Sequence, residues 1–62
     1  MTNSTLRETR YANLRYHQTP AGWRVVDCHE PGRFADVGPI YATRAELLAD
    51  LDRYASETWG YA

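Results

Sequence analysis

The feature that most restricts the fold of this 62-residue chain is a strong helix signal near its C-terminal end. Residues 43–46 read T-R-A-E, a capping box in which the threonine hydroxyl and the glutamate carboxylate pair with free backbone N–H groups. Apolar residues then recur at helical spacing, at Leu47, Leu48, Leu51, Tyr54 and Ala55. We therefore predict a helix over about 44–58, ending before Gly60, with one apolar face that needs a surface to pack against.

The residues before the helix contain the patterns expected of strands. Within the segment 6–17, Ala12, Leu14 and Tyr16 alternate with polar residues at period two, and residues 23–29 are rich in β-branched and aromatic side chains. Turn sequences at residues 19–22 and at Pro31-Gly32 separate these segments from a third one, residues 34–42. Pro39 cannot donate to a strand ladder, so we expect the third segment to be an edge or interrupted strand.

These elements predict one α+β domain over residues 1–62, with residues 1–5 frayed. The simplest arrangement is a three-stranded antiparallel sheet in the order β-β-β-α, with the C-terminal helix packed on one face. Trp23 and Val25 alternate with Val26 and Cys28, so both faces of the middle strand should be at least partly covered. The other face of the sheet stays open for a ligand or partner.

Composition narrows the functional class. Apolar residues make up 44% of the chain and charged residues 24%, as in ordinary globular domains, and a single cysteine excludes an internal disulfide framework. No stretch of about 18 apolar residues exists and the first ten residues have no apolar core, so we expect a cytoplasmic protein without a membrane span. A chain this short has little material for a deep catalytic cleft, so we expect a protein that is not an enzyme. Small domains often gain stability by oligomerisation, which favours a homodimer.

Charge is segregated along the chain. Four arginines and one acid up to residue 26 give a net charge of +3, and three arginines and seven acids after it give −4. The simplest interpretation is that the two halves attract each other. Alternatively, each half provides a charged binding surface, and the two surfaces would select opposite partners.

The first candidate surface is the basic hairpin. Alternation places Tyr11, Asn13, Arg15 and His17 on one strand face, which Arg24 joins from the neighbouring strand. Arginine pairs with phosphates and tyrosine stacks on bases, so this surface could bind nucleic acid; a protein interface and an ordinary wet surface remain alternatives. The residues predicted to form this surface are Arg10, Tyr11, Arg15, His17 and Arg24.

The second candidate surface is the acidic side of the helix. Its carboxylates could imitate a run of phosphates or dock on a basic groove, although Arg53 among them weakens that hypothesis, and a solvated helix face is the alternative. The predicted acidic residues are Glu46, Asp50, Asp52 and Glu57. Three aromatic residues, Tyr41, Trp59 and Tyr61, either close the core or support self-association.

The sequence favours neither a metal site nor a cofactor. Cys28 and His29 are adjacent on a strand and should point to opposite faces, so they would not converge with His17 on a metal or act as a nucleophile pair. Cys28 is expected to be a small buried apolar residue.

We therefore expect a non-catalytic macromolecule-binding protein, either a protein-interaction module or an inhibitor or adaptor of a host complex. Small cytoplasmic chains with uneven charge are often encoded by phages or plasmids, and such proteins frequently inhibit or adapt a host machine, including nucleic-acid-targeting defence complexes. The alternative is a β-sheet nucleic-acid-binding protein that uses the basic hairpin.

Overall fold

The computed structural model describes residues 5–60 as a four-stranded antiparallel sheet followed by a helix. The strands are β1 (Arg7–Glu8), β2 (Leu14–Thr19), β3 (Gly22–Glu30) and β4 (Arg33–Tyr41), and they neighbour one another in chain order. The helix α1 spans Arg44–Tyr54. The predicted α+β fold with an antiparallel sheet and a C-terminal helix is confirmed, whereas the predicted number of three strands is wrong.

The fourth strand arises because the predicted first strand is divided by a turn. β1 pairs with β2 through Arg7 opposite Tyr16 and Glu8 opposite Arg15. Between them, the Thr9 hydroxyl donates to the Leu14 carbonyl over 2.7 Å, and the Leu14 N–H donates to the Tyr11 carbonyl over 3.3 Å. The turn contains neither glycine nor proline, so Asn13 is its strongest turn signal in the sequence.

The helix begins as the capping box predicts and ends in a wider turn. The Glu46 N–H donates to the Thr43 hydroxyl over 3.1 Å. After Tyr54 the chain continues as a π-helical turn over Ala55–Trp59, which ends at Gly60 in the left-handed conformation. Helical structure therefore extends one residue beyond the predicted end.

The core lies between α1 and one face of the sheet. Leu14, Tyr16 and Val25 from the strands meet the buried side of the helix, which consists of Leu47, Leu51, Tyr54 and Ala55. Val25 and Val26 are adjacent on β3 and are 0% and 1% exposed. The expectation that both faces of this strand are covered is confirmed, although Val26 lies outside the core cluster.

Two irregularities distort the pairing of β3 with β4. Trp23 lies opposite Tyr41 and Val25 opposite Val37, so β4 advances four residues while β3 advances two. Gly38 lies in this insertion with φ +74°, and an added Cβ there would stand 2.8 Å from the Tyr54 ring. At the other end, Asp27 lies opposite Ala35 and Glu30 opposite Arg33, which gives β3 the extra residue.

Candidate binding surface

The sheet has one face that the helix leaves uncovered, which we call the open sheet face. Tyr16, Val25 and Val37 point to the core, so the residues that alternate with them point away from it. The open sheet face includes Glu8, Arg15, His17, Arg24, Val26, Phe34, Asp36 and Ile40.

A polar bridge crosses the middle of this face. His17 on β2 and Asp36 on β4 belong to strands that are not neighbours, yet His17 Nε2 lies 2.6 Å from Asp36 Oδ1. The bridge therefore spans β3, where Val26 is flanked by Arg15 on β2 and by Asp36 on β4. This arrangement explains how Val26 is buried although no helix covers it.

Two large apolar side chains remain exposed on the β4 side of the face. Phe34 is 58% exposed and Ile40 is 53% exposed. β4 is an edge strand, so only β3 pairs with it. Single exposed apolar residues are common, but two on one edge strand beside arginines match the composition of protein interfaces.

Two arginines on the β2 and β3 side have no carboxylate partner among residues 5–60. These are Arg15 and Arg24, and neither forms an ion pair there. Arg24 is held in place, because its Nη2 donates to the Gly38 carbonyl over 2.8 Å. Its Nε is buried without a hydrogen-bond partner in the described part of the chain. The face is therefore basic on one side and apolar on the other.

The structure divides the predicted basic hairpin between two surfaces. Arg15, His17 and Arg24 lie together on the open sheet face, with His17 opposite Arg24 in the register. Arg10 and Tyr11 precede β2 and approach the helix instead. The Tyr11 hydroxyl donates to Asp52 over 2.6 Å, and Arg10 Nη1 lies 3.3 Å from the same carboxylate. The interpretation that Tyr11 shares a strand face with Arg15 is wrong, because the turn ends the alternation.

Most of the predicted acidic surface is paired within the chain. Asp50 accepts two hydrogen bonds from Arg53, over 2.5 and 2.6 Å, and Glu57 accepts a third over 3.1 Å. The Arg53 guanidinium and the Tyr41 hydroxyl lower the pKa of Asp50 to about 2. Asp52 holds Arg10 and Tyr11, and the hydrogen bond to Asp52 raises the pKa of Tyr11. Glu46 forms no ion pair in the described part of the chain.

The aromatic residues predicted for self-association pack within their own chain. Tyr41 and Trp59 both lie against the core cluster. The Tyr41 hydroxyl donates to Asp50 over 2.5 Å, and burial together with this bond raises the pKa of Tyr41 to about 12. Trp59 stacks on His29 with the ring centroids 4.5 Å apart. Tyr61 lies outside the described residues.

Phe34, Asp36 and Ile40 are the members of the face that sequence reasoning missed. The segment 34–42 was expected to be interrupted, so no face was assigned to its side chains. A usable signal was present, since alternation back from the apolar Val37 places Phe34 and Asp36 together. The insertion at Gly38 breaks that alternation before Ile40.

A depression of about 630 Å³ lies at the end of the β3–β4 hairpin. Asp27 accepts from the His29 N–H over 2.9 Å and also contacts His29 Nδ1, and these bonds lower the pKa of Asp27. The lining residues are Asp27, His29, Glu30, Gly32, Arg33, Phe34 and Ala35. All of them belong to one hairpin, so the depression is a side of the strand pair, not a cleft between elements.

The described residues contain no group of three histidines, cysteines or acids placed to hold a metal ion. Cys28 is half-buried, and burial raises the pKa of its thiol. Cys28 lies in the bulge opposite Phe34, where the simple alternation assumed from the sequence does not apply. Within residues 5–60 no helix is both long and apolar enough to cross a membrane.

Comparison with known protein families, curated proteins and solved structures found no match for this chain.

Proposed function

We propose that this chain is a non-catalytic protein-binding module that holds its partner on the open sheet face. The observation that carries the proposal is the exposure of Phe34 and Ile40 beside Arg15 and Arg24. Aromatic residues and arginine are the types most enriched at the centres of protein interfaces. The proposal includes the role expected from the sequence, an inhibitor or adaptor of a host complex.

The non-catalytic part of the proposal rests on size and on the form of the surface. A substrate pocket normally buries most of its ligand between several elements. Here the depression beside Phe34 is lined by one hairpin only, and the open sheet face is the surface of a single layer. Both suit a broad contact with another macromolecule better than the enclosure of a small substrate.

The nucleic-acid alternative has less support. It needs five basic and aromatic residues on one surface, and two of these, Arg10 and Tyr11, bind Asp52 on the helix side. The three that remain share their face with Asp36, which binds His17.

The test is capture of a partner from a lysate of the organism that encodes the chain, with nuclease treatment to remove nucleic acid. We expect the tagged chain to retain one protein reproducibly, and Phe34→Glu to lose it, because the substitution places a charge in the apolar part of the contact. The retained protein is identified by mass spectrometry and quantified for each variant.

Leu48→Glu is the matched control. Leu48 is 43% exposed but lies on the helix, away from the open sheet face. Capture should survive this substitution. Loss with Leu48→Glu and retention with Phe34→Glu would contradict the proposal, as would the absence of any protein that the wild-type chain retains.

A further inference from the structure

We infer that the partner of the open sheet face presents carboxylates opposite Arg15 and Arg24 and apolar side chains opposite Phe34 and Ile40. This inference rests on the proposed function and assigns the chemistry of the partner. It excludes, as the primary partner, both a nucleic acid and a second copy of this chain.

The arginines of this chain differ in whether an acid of the same chain pairs with them. Three of the seven arginines, Arg10, Arg33 and Arg53, are paired with acids in the described part of the chain. Arg15 and Arg24 are not, and they stand on the same face. Two acids share that face: Asp36 is already bound to His17, and Glu8 lies opposite Arg15 in the register without forming an ion pair with it. The face therefore has two cations that an external carboxylate can neutralise.

The two arginines without ion pairs, Arg15 and Arg24, lie close to Val26 on the open sheet face. Arg15 lies opposite Val26 on the neighbouring strand, and Arg24 precedes Val26 by two residues on the same strand face. Arg24 is fixed by the Gly38 carbonyl, so binding costs little of the rotamer entropy that a free arginine would lose. Carboxylates match the guanidinium fork geometrically, and the exposed apolar residues lie one strand further, on β4.

The acids of this chain are mostly paired internally, which disfavours a second copy as the source of the carboxylates. Six of the eight acids have an arginine or histidine partner within their own chain: Asp27, Glu30, Asp36, Asp50, Asp52 and Glu57. Only Glu8 and Glu46 lack one within residues 5–60. These two lie on different elements, Glu8 on β1 and Glu46 on α1, so no single element of a second copy offers two unpaired carboxylates to Arg15 and Arg24.

The acids on the open sheet face favour a protein partner over a nucleic acid. Phosphates repeat along a strand at fixed spacing, so a nucleic acid on this face would also meet Asp36 and, at the β1 edge, Glu8. A protein can place its carboxylates only where the arginines are. The apolar contribution of Phe34 and Ile40 also needs apolar partners.

The experiment is an NMR titration of the ¹⁵N-labelled full chain with three probes. These are a short peptide that alternates glutamate with leucine, the same peptide with lysine in place of glutamate, and a single-stranded DNA oligonucleotide. We expect the glutamate peptide to shift the amides around Arg15, Arg24 and Phe34, and to bind about tenfold more tightly than either other probe. Two exposed arginine–carboxylate pairs account for an effect of that size.

Variants and matched controls keep the result interpretable. Arg15→Glu should abolish the preference for the glutamate peptide. Arg44→Glu should leave it unchanged, because Arg44 lies on the helix and, like Arg15, forms no ion pair within residues 5–60. Arg24→Gln adds a second position, and a dispersed NMR spectrum verifies that each variant is folded. Equal binding of both peptides, no binding of either, tighter binding of the oligonucleotide, or dimerisation of the free chain through this face would overturn the inference.

Failure of this inference can be distinguished from failure of the proposed function. If Arg15→Glu still captures the protein that Phe34→Glu loses, and does so equally at low and high salt, the acidic partner is wrong and the protein-binding module stands. If the wild-type chain captures no protein, the proposed function fails. Capture that weakens with salt and with Arg15→Glu supports both.

Discussion

Gly38 couples the irregular edge strand to the helix. Its φ of +74° favours glycine, and the Tyr54 ring occupies the space that a side chain would need. Gly38→Ala should therefore destabilise the domain through both backbone strain and collision with a buried ring. We expect a loss of roughly 2–4 kcal/mol in the free energy of unfolding, measured by urea denaturation.

Gly32→Ala is a close control for that prediction. Gly32 has a φ of +75°, but an added Cβ would meet no atom within 4 Å. This variant should lose only about 1 kcal/mol in the free energy of unfolding, because alanine disfavours the left-handed backbone conformation. Equal losses for the two variants would show that the Tyr54 contact does not contribute.

Tyr41 makes stability depend on alkaline pH. Its pKa rises from 10.0 to about 12 in the folded chain, first because of burial and then because of the bond to Asp50. The folded state favours the neutral phenol, so the contribution is complete below pH 10 and is lost as pH rises from 10 through 12. Tyr41→Phe has no phenol to ionise and should lose stability less steeply over this interval.

The measurement is the free energy of unfolding of both proteins across that pH range. Taking the difference between wild type and Tyr41→Phe cancels the other groups that titrate there. Asp50→Asn offers a second comparison, because removal of the carboxylate lowers the pKa of the Tyr41 phenol, which ultraviolet absorbance can follow. Parallel pH dependence in wild type and Tyr41→Phe would contradict the assignment.

Among the elements, the helix could be predicted almost completely from the sequence. Its cap uses one side chain and a backbone group three residues away, and its apolar side repeats at a fixed period. Both are local patterns, so tertiary contacts were not needed to find them. The π-helical turn after Tyr54 was not predictable, because it places Trp59 against His29, which is distant in sequence.

The strands could be predicted in type and only partly in extent. The alternation at residues 12–16 favours one strand over residues 6–17, although the Thr9 hydroxyl turns the chain between β1 and β2. The bulges in the β3–β4 pair depend on the register with a neighbouring strand, about which a single segment carries little information.

The same distinction applies to the candidate surface. Arg15 and His17 could be placed together because they lie two residues apart on one regular strand, and Arg24 follows from the hairpin register. Tyr11 was misplaced because the strand had not yet begun at that position. Phe34 and Ile40 were missed because they flank the insertion in β4, where counting residues no longer gives the face.

The whole molecule has a small core, so single apolar contacts are a large part of its stability. A domain of 62 residues is typically stable by about 3–9 kcal/mol. Leu47 is fully buried, and Leu47→Ala should cost about 2–5 kcal/mol, which is a large part of that stability. Circular dichroism during thermal unfolding would measure the loss.

The neighbouring Leu48 supplies the control on the same helix. It is 43% exposed, so Leu48→Ala should change the free energy of unfolding by less than about 1 kcal/mol. Similar losses at the two positions would mean that the helix does not pack with the Leu47 side toward the sheet.

The segregation of charge along the chain brings its basic and acidic segments into contact in the folded molecule. The basic N-terminal segment and the acidic helix meet at Asp52, which binds Arg10 and Tyr11 from a distant part of the chain. The Arg10 and Asp52 side chains are largely exposed, so their ion pair adds little stability. Its larger effect is to place Arg10 against the helix and not with Arg15 and Arg24 on the open sheet face.

The bridge between His17 and Asp36 has a mechanical consequence. In a meander each outer strand can ordinarily peel away on its own, because it is attached only to its immediate neighbour. Here β4 cannot detach without also breaking a contact with β2, since Asp36 reaches across β3 to His17. Opening of the β4 edge must therefore break one link to β2 as well as the ladder to β3, and part of a force applied to that edge reaches β2 directly.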